Sequence, residues 1–319
     1  MRVVTFGGGT GTYSVLSALK KLDGVSITAI VSGADDGGST GLLRDAYGFL
    51  PPGDVRQALV ALSPEESVLR DLFAYRFSKG NVAGHNLGNL LLTALSDILD
   101  SDTEAIEEAS KILNVCGTVV CSTDSPATLC AHLDDNSILE GEDTIEQKEE
   151  DGKKIVSLSY KTPLPLSRSA REAVSSADLI ILGPGDLYTS ITAALLPEGT
   201  KEAIMASSAR VAYISNLFTK TGQTTDLGSK EHRDVLIEYI GRTPDHVVLH
   251  TGAFPEDALA KYEKEGEFPV EDTFDNDSSV VRADVASVRS VPAVEGDPIA
   301  RSLVRHDPEK LARVLKTLI

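Results

Sequence analysis

The residues best suited to chemistry stand in glycine-rich loops. The first runs Gly7, Gly8, Gly9, Thr10, Gly11 and is followed by Thr12. Glycines there let backbone approach a phosphate closely, and the free amides and dipole of a following helix favour negative charge. The third glycine of the dinucleotide fingerprint GxGxxG is missing, and no lysine completes a Walker loop. A phosphate cradle outside both classes is one reading, and a tight strand-to-helix turn without ligand is the other. The second loop is Asp35, Asp36, Gly37, Gly38, Ser39, Thr40, Gly41. Its adjacent carboxylates can hold a hard cation or accept hydrogen bonds from ligand hydroxyls, although a solvated acidic turn has the same composition. In LPPGDVR, residues 50–56, Asp54 reads most simply as the cap of a helix beginning near Val55. In GHNLGN, residues 84–89, His85 and Asn89 are four apart and share a helical face, with Gly84 and Gly88 allowing close approach. GPGDLYTS at 183–190 offers a second anion cradle, with Gly183 and Gly185 around Pro184 and the hydroxyls of Tyr188, Thr189 and Ser190 at a helix start. No GxSxG elbow, HExxH pair, EF-hand or histidine cluster is present.

Loops of this kind need strands to carry them. Val3 to Phe6 reads as a short buried strand, and Val15, Leu16, Leu19 and Leu22 then recur at helical spacing. SITAIVS at 26–32 is a second strand, so two strands each feed a glycine loop at their C-terminal ends, as in a parallel sheet with outer helices. Strands recur in GTVVCS, DLIILG, VAYISN and HVVLHTG, and helices are expected at 102–114, capped by Asp102 or Thr103, and at 308–318. Residues 128–162 alternate short β-like runs with acidic turns and are expected to form an exposed hairpin insertion.

Composition narrows the partners. Forty-eight acidic against 30 basic residues give a net charge of −18, and without a basic run this argues against nucleic acid. No apolar run reaches the ~20 residues of a membrane span, and no leader precedes the first strand, so a cytoplasmic location is expected. Cys116, Cys121 and Cys130 lack CxxC spacing and read as small hydrophobes rather than as zinc or disulfide partners.

FGGGTGTYSVLSAL, VSGADDGGSTGLLRD, LPPGDVRQALVAL, GHNLGNLLL, GPGDLYTS and RHDPEKLARVL together resemble the YvcK family, the gluconeogenesis factors. That family lies in the CofD-like superfamily with the 2-phospho-L-lactate transferases. The resemblance spans essentially the whole chain, 1–319, as one domain. It implies an α/β, Rossmann-like, three-layer, doubly wound and mainly parallel sheet with the ligand at its C-terminal edge. It also implies UDP-sugar binding and a role in carbon metabolism, gluconeogenic growth, cell-wall precursor supply and cell shape, with a homodimer allowed and a regulatory partner left open. By the same resemblance Gly8, Gly9, Thr10, Gly11 and Thr12 form the phosphate loop, and Asp35, Asp36 and Ser39 line the site. His85, Asn86 and Asn89 face the same cleft, and Gly183, Gly185, Tyr188 and Asn216 complete it. The transferase branch implies a divalent metal, Mg²⁺, at Asp35 or Asp36 with Asp54.

The chain departs from the family pattern at Asp186, where serine is usual, and at Lys220 and Gln223, which replace glutamine and glutamate; Asn216, Gly222 and Thr224 match. Two classes of function follow: a nucleotide-sugar-binding regulator whose state a partner reads, and a metal-dependent transferase of the 2-phospho-L-lactate transferase type. Sparse lysine and arginine near the motifs, with Asp186, favour metal-independent binding.

Overall fold

The computed structural model describes residues 1–287 and 303–319. Ten strands are seen among them: β1 Arg2–Phe6, β2 Ser26–Val31, β3 Thr118–Cys121, β4 Leu129–Leu133, β5 Ile138–Glu140, β6 Ile155–Tyr160, β7 Leu179–Leu182, β8 Arg210–Ile214, β9 His246–His250 and β10 Val280–Ala283. Seven form a sheet in the order β10-β9-β8-β7-β1-β2-β3, and every pairing in it is parallel. The chain begins in the middle at β1 and steps outward through β2 and β3. It then returns across β1 to β7 and steps outward the other way, so the connections diverge between β1 and β7. Such a switch point opens a crevice at the C-terminal ends of the strands.

Successive side chains of a strand point to opposite faces, and both faces here are apolar. Val4, Phe6, Ile30, Ile180 and Leu182 share one core with Val174, Ile204 and Leu236. Val3, Ala29, Val31, Leu179 and Ile181 share the other with Leu16, Leu59 and Leu315. Helices Arg168–Ser176, Thr200–Ala206 and Ser229–Ile240 therefore cover the first face, and helices Gly9–Leu19, Pro52–Leu62 and Pro308–Leu318 the second. This is the three-layer, doubly wound α/β arrangement the sequence implies. The helix expected at 102–114 runs Asp102–Leu113, but its cap is Ser101, whose hydroxyl accepts the Glu104 amide at 3.2 Å. Among the described residues no helix is long and apolar enough to cross a membrane. The three cysteines are free, Cys121 and Cys130 are buried, and Cys116 is exposed.

The segment 128–162 differs from the exposed excursion expected of it. Strands β5-β4-β6 form a small antiparallel sheet, with Ile138 and Val156 outside and Leu129, Ala131, Leu158 and Tyr160 packed into the first core. Between β5 and β6 the short helix Glu142–Glu146 buries Ile145 completely. One apolar residue among eight acidic or polar ones is too weak a periodic signal to announce a packed helix.

Candidate functional site

Strands β7, β1 and β2 are neighbours, so the loops 183–185, 7–11 and 35–41 that leave their C-terminal ends meet in one cleft. The 7–11 and 183–185 loops touch: a Cβ on Gly11 would run into the carbonyl oxygen of Pro184 and lie 2.8 Å from the Gly185 amide nitrogen. Helix Gly9–Leu19 starts with its dipole aimed into the cleft, and Thr10 and Gly11 present first-turn amides that no helical carbonyl can reach. Gly9 sits at φ +61°, which a side chain would strain. From the end of β8, Asn216 steadies the third loop. Its Nδ2 donates to the Gly185 carbonyl at 2.6 Å, and its Oδ1 accepts from the Tyr213 hydroxyl at 3.2 Å.

Asp54 is no N-cap. The helix begins earlier, at Pro52, and the Asp54 carboxylate leaves it to accept the Gly9 amide at 2.8 Å. Asp35 lies beside it at the end of β2, accepting the Gly37 amide at 3.1 Å. The space between backbone and carboxylate is so tight that a Cβ on Gly8 would collide with Asp54, and one on Gly53 with Asp35. Burial pushes the Asp35 carboxyl up to about 7, and the neighbouring Asp54 charge adds to it. Asp54 rises to about 6, again through burial, with the Gly9 amide and the Arg56 charge acting against the shift.

Behind Asp35 runs a buried relay. Arg56 Nε donates to Asn89 Oδ1 at 2.9 Å, Asn89 Nδ2 donates to the Thr40 hydroxyl at 3.3 Å, and that hydroxyl and the Asp35 carboxylate both crowd Gly53. Asn89, expected to face the cleft, therefore acts from behind it, because both ends of its amide are hydrogen-bonded within the relay and only 3% of its surface is accessible. Asn86 is likewise displaced from the ligand role. Its helix starts at Leu87, and its side chain caps that helix by accepting the amides of Gly88 at 2.8 Å and Asn89 at 3.3 Å. His85 precedes the helix, so it does not share a helical face with Asn89; its Nδ1 is 2.8 Å from the Ser39 hydroxyl. Tyr188 is also corrected, since its buried ring points its hydroxyl at the Ile155 carbonyl in β6, 3.4 Å away.

Asp36 parts company with Asp35. Successive residues point in opposite directions, and the Asp36 carboxylate accepts the Asp143 amide at 2.8 Å while its other oxygen lies 3.7 Å from Arg44 Nη1. The cation set expected from the sequence thus reduces to Asp35 with Asp54. Among the described residues no three acidic, histidine or cysteine side chains are grouped to hold a metal ion. Two half-buried carboxylates beside a phosphate cradle suit Mg²⁺, which characteristically takes one or two carboxylates and completes its shell with water and substrate phosphates. The electrostatics agree, because a cation would relieve the mutual repulsion of Asp35 and Asp54.

Two acidic residues that sequence reasoning missed complete the cleft. Helix Glu142–Glu146 sets the Glu142 carboxylate against the β2 loop, 3.7 Å from where a Cβ on Gly37 would stand, and touches the turn Leu187–Thr192 after β7, where Asp186 acts on the charge of Glu146. Burial raises Glu142 well above the usual carboxylate range, with Asp35 the largest charge acting on it. Burial and Asp186 raise Glu146 to about 8. Opposite them, burial disfavours the Lys220 charge, but Asp186, Glu267 and Glu146 outweigh it and hold that amine above its ordinary value. Two of the three departures from the family pattern, Asp186 and Lys220, are thus electrostatic partners. Only the pair of departures could have hinted at this in the sequence.

The family model of the 2-phospho-L-lactate transferase CofD matches residues 3–291. A gluconeogenesis factor of Halalkalibacterium halodurans is 39% identical over 317 residues, covering 98% of this chain and 95% of that protein. One of Bacillus subtilis is 36% identical over 327 residues, covering 100% of this chain and 98% of that protein. A crystal structure of a UPF0052 family member from Bacillus halodurans superimposes with a TM-score of 0.87 at 36% identity, covering 98% of both chains.

Proposed function

The chain belongs to the CofD family, and from that premise we propose that it binds a nucleotide sugar, a UDP-sugar in the first instance, as a regulator of carbon metabolism. The observation that carries this reading is the meeting of the 7–11 and 183–185 loops beside Asp35 and Asp54. The pyrophosphate would lie against the Thr10 and Gly11 amides, where the helix dipole favours it. It would there approach two carboxylates. Like charges 4 Å apart repel by ~4 kcal/mol at an effective dielectric constant of 20, so Asp35 and Asp54 call for a cation shared with the phosphates. This moves the balance away from metal-independent binding. The similarity to the gluconeogenesis factors supports the role in carbon metabolism.

One observation favours a second reading, transfer of a phosphate-linked group. Asp35 and Asp54 stand where a bound Mg²⁺ would offset charge developing on a phosphate. Calorimetry with UDP-glucose and UDP-N-acetylglucosamine, in Mg²⁺ and in chelator, together with a product assay, separates the two. Mg²⁺-dependent binding without turnover supports the regulator. Turnover supports the transferase, and no binding in either condition rejects both.

A further inference from the structure

The insertion helix Glu142–Glu146 is pinned at both ends by residues from other parts of the cleft. At its start Asp36 accepts the Asp143 amide at 2.8 Å, and at its end the Gln223 side-chain amide donates to the Ile145 carbonyl at 3.0 Å. Both groups satisfy backbone that a helix terminus leaves without an internal partner. Neither carboxylate-to-carboxylate proximity nor local propensity would hold this helix where it is. Its five residues are too few to be stable alone, and it delivers Glu142 and Glu146 to neighbours of their own sign. Something must oppose that repulsion, and the two pins, with the buried Ile145 between them, are the groups placed to do so.

We propose that Asp36 and Gln223 are positioning residues that fix this helix between the β2 loop and the turn after β7, so that Glu142 and Glu146 form an acidic wall selecting ligands whose distal part is neutral rather than anionic. The inference deepens the nucleotide-sugar reading and rests on it for the ligand, but the pinning stands by itself. A further carboxylate entering beside Glu142 and Glu146 would either be repelled or have to take up a proton, and both weaken binding. A neutral sugar offers hydroxyl donors to the same oxygens. The role also explains the departure at Gln223. An ionised glutamate there could not donate to a carbonyl, whereas the amide can.

The test compares Asp36→Asn, Asp36→Ala and Gln223→Met, with Glu142→Gln/Glu146→Gln as the wall variant. Hydrogen exchange of amides 143–148 reads the pinning, and Mg²⁺-containing calorimetry at pH 8 reads affinity for UDP-glucose against UDP-glucuronate. An asparagine oxygen accepts an amide as well as a carboxylate does in a cap, so Asp36→Asn should leave exchange within twofold of wild type. Asp36→Ala and Gln223→Met should each accelerate it about tenfold or more and bring the two affinities closer by a similar factor. The wall variant should lose the discrimination while keeping normal exchange. Loss of fold strength alone would weaken both ligands together and leave their ratio unchanged, which would overturn the selective role. Exchange in Asp36→Asn as fast as in Asp36→Ala would overturn the pin and return Asp36 to a charge-dependent task. Should Asp36→Ala not fold, Gln223→Met tests the pinning, and exchange within twofold of wild type in that variant would overturn it. If wild type binds neither sugar nucleotide, the ligand reading and the selective role fail together, and the exchange data still decide the pinning.

Discussion

The glycine loops at the ends of β1 and β7 and the insertion helix Glu142–Glu146 lie at the same edge of the sheet, but different forces hold them. In the loops backbone packs on backbone. Gly11 lies against Pro184 so closely that no side chain fits, and parallel pairing of β1 with β7 fixes the register between the two loops. The helix is held by side chains from distant segments, Asp36 and Gln223, and is opposed by the charges it carries. The difference teaches where tolerance lies. A cradle made of backbone fails outright when a methyl group is added, whereas a wall made of side chains can be retuned one residue at a time.

The largest expected effect therefore comes from Gly11→Ala. Its Cβ would overlap a backbone carbonyl that cannot move without disturbing β7, and overpacking of this kind costs about 1–3 kcal/mol. Urea denaturation should show that loss, and UDP-glucose binding should vanish. Stability and binding both intact would break the contrast between cradle and wall. Gly9→Val should also weaken binding, but through its positive φ, since the nearest atom to its Cβ position is the Ser190 hydroxyl oxygen at 3.9 Å.

The same contrast explains what could be read without coordinates. The strand-loop-helix units were legible because β-branched runs such as SITAIV and LIIL end in glycines, and both signals are local. That the loops converge followed from parallel topology. The Asp35–Asp54 pair was half legible. Both residues were candidates, but which of two adjacent aspartates faces the cleft depends on the path of the chain after β2, and Asp36 turns out to serve the insertion. The resemblance puts Asn86 and Asn89 in the cleft, but a motif match cannot distinguish a ligand contact from a cap or a buried relay. Glu142 and Glu146 were illegible because they lie more than a hundred residues from Asp35, in a segment whose composition reads as a solvated turn.

Next in size is Asp54→Asn. The asparagine oxygen can still accept the Gly9 amide, so the loop should stand, while one of the two charges that would hold a cation is gone. Affinity for UDP-glucose in Mg²⁺ should fall by about tenfold or more, roughly the 1.4 kcal/mol or above of one lost charge-assisted contact, with no further fall on adding chelator. Unchanged Mg²⁺ dependence would remove Asp54 from the cation site.

A smaller and broader effect is the pH dependence of the protein without ligand. Asp35, Asp54 and Glu146 have folded values of about 7, about 6 and about 8, against ordinary values of 3.8, 3.8 and 4.5. All three are raised, so the folded state binds more protons than the unfolded state between those limits. Their contribution to stability is full below about pH 4 and is lost as pH rises through about 6 to 8. Denaturation midpoints measured from pH 5 to 8.5 should fall across that range, against the usual gain of acid-labile proteins, and Mg²⁺ with UDP-glucose should flatten the slope. A midpoint that rises with pH would mean that these carboxyls are ionised and compensated already.

The smallest expected effect tests whether the departures at 186 and 220 belong together. Lys220 is the cation facing Asp186, Glu146 and Glu267, with its Nζ 3.8 Å from the Glu267 carboxylate. Its side chain remains about one-third exposed, so solvent screens the attraction and the energy is modest. Lys220→Gln alone should destabilise, because it leaves three carboxyl groups facing one another. Asp186→Ser alone leaves Lys220 its other acidic neighbours while relieving Glu146, and should be nearly neutral. Made together they restore the residues usual in the family at these two positions, and the double variant should be more stable than the sum of the singles predicts. A double-mutant cycle at pH 8 and low salt should therefore return a coupling of about 0.5–1 kcal/mol, and in 1 M salt, where the screening length is ~3 Å, it should shrink toward zero. Additivity within about 0.3 kcal/mol at low salt would show that the two residues change independently, and the acidic wall would then owe nothing to Lys220.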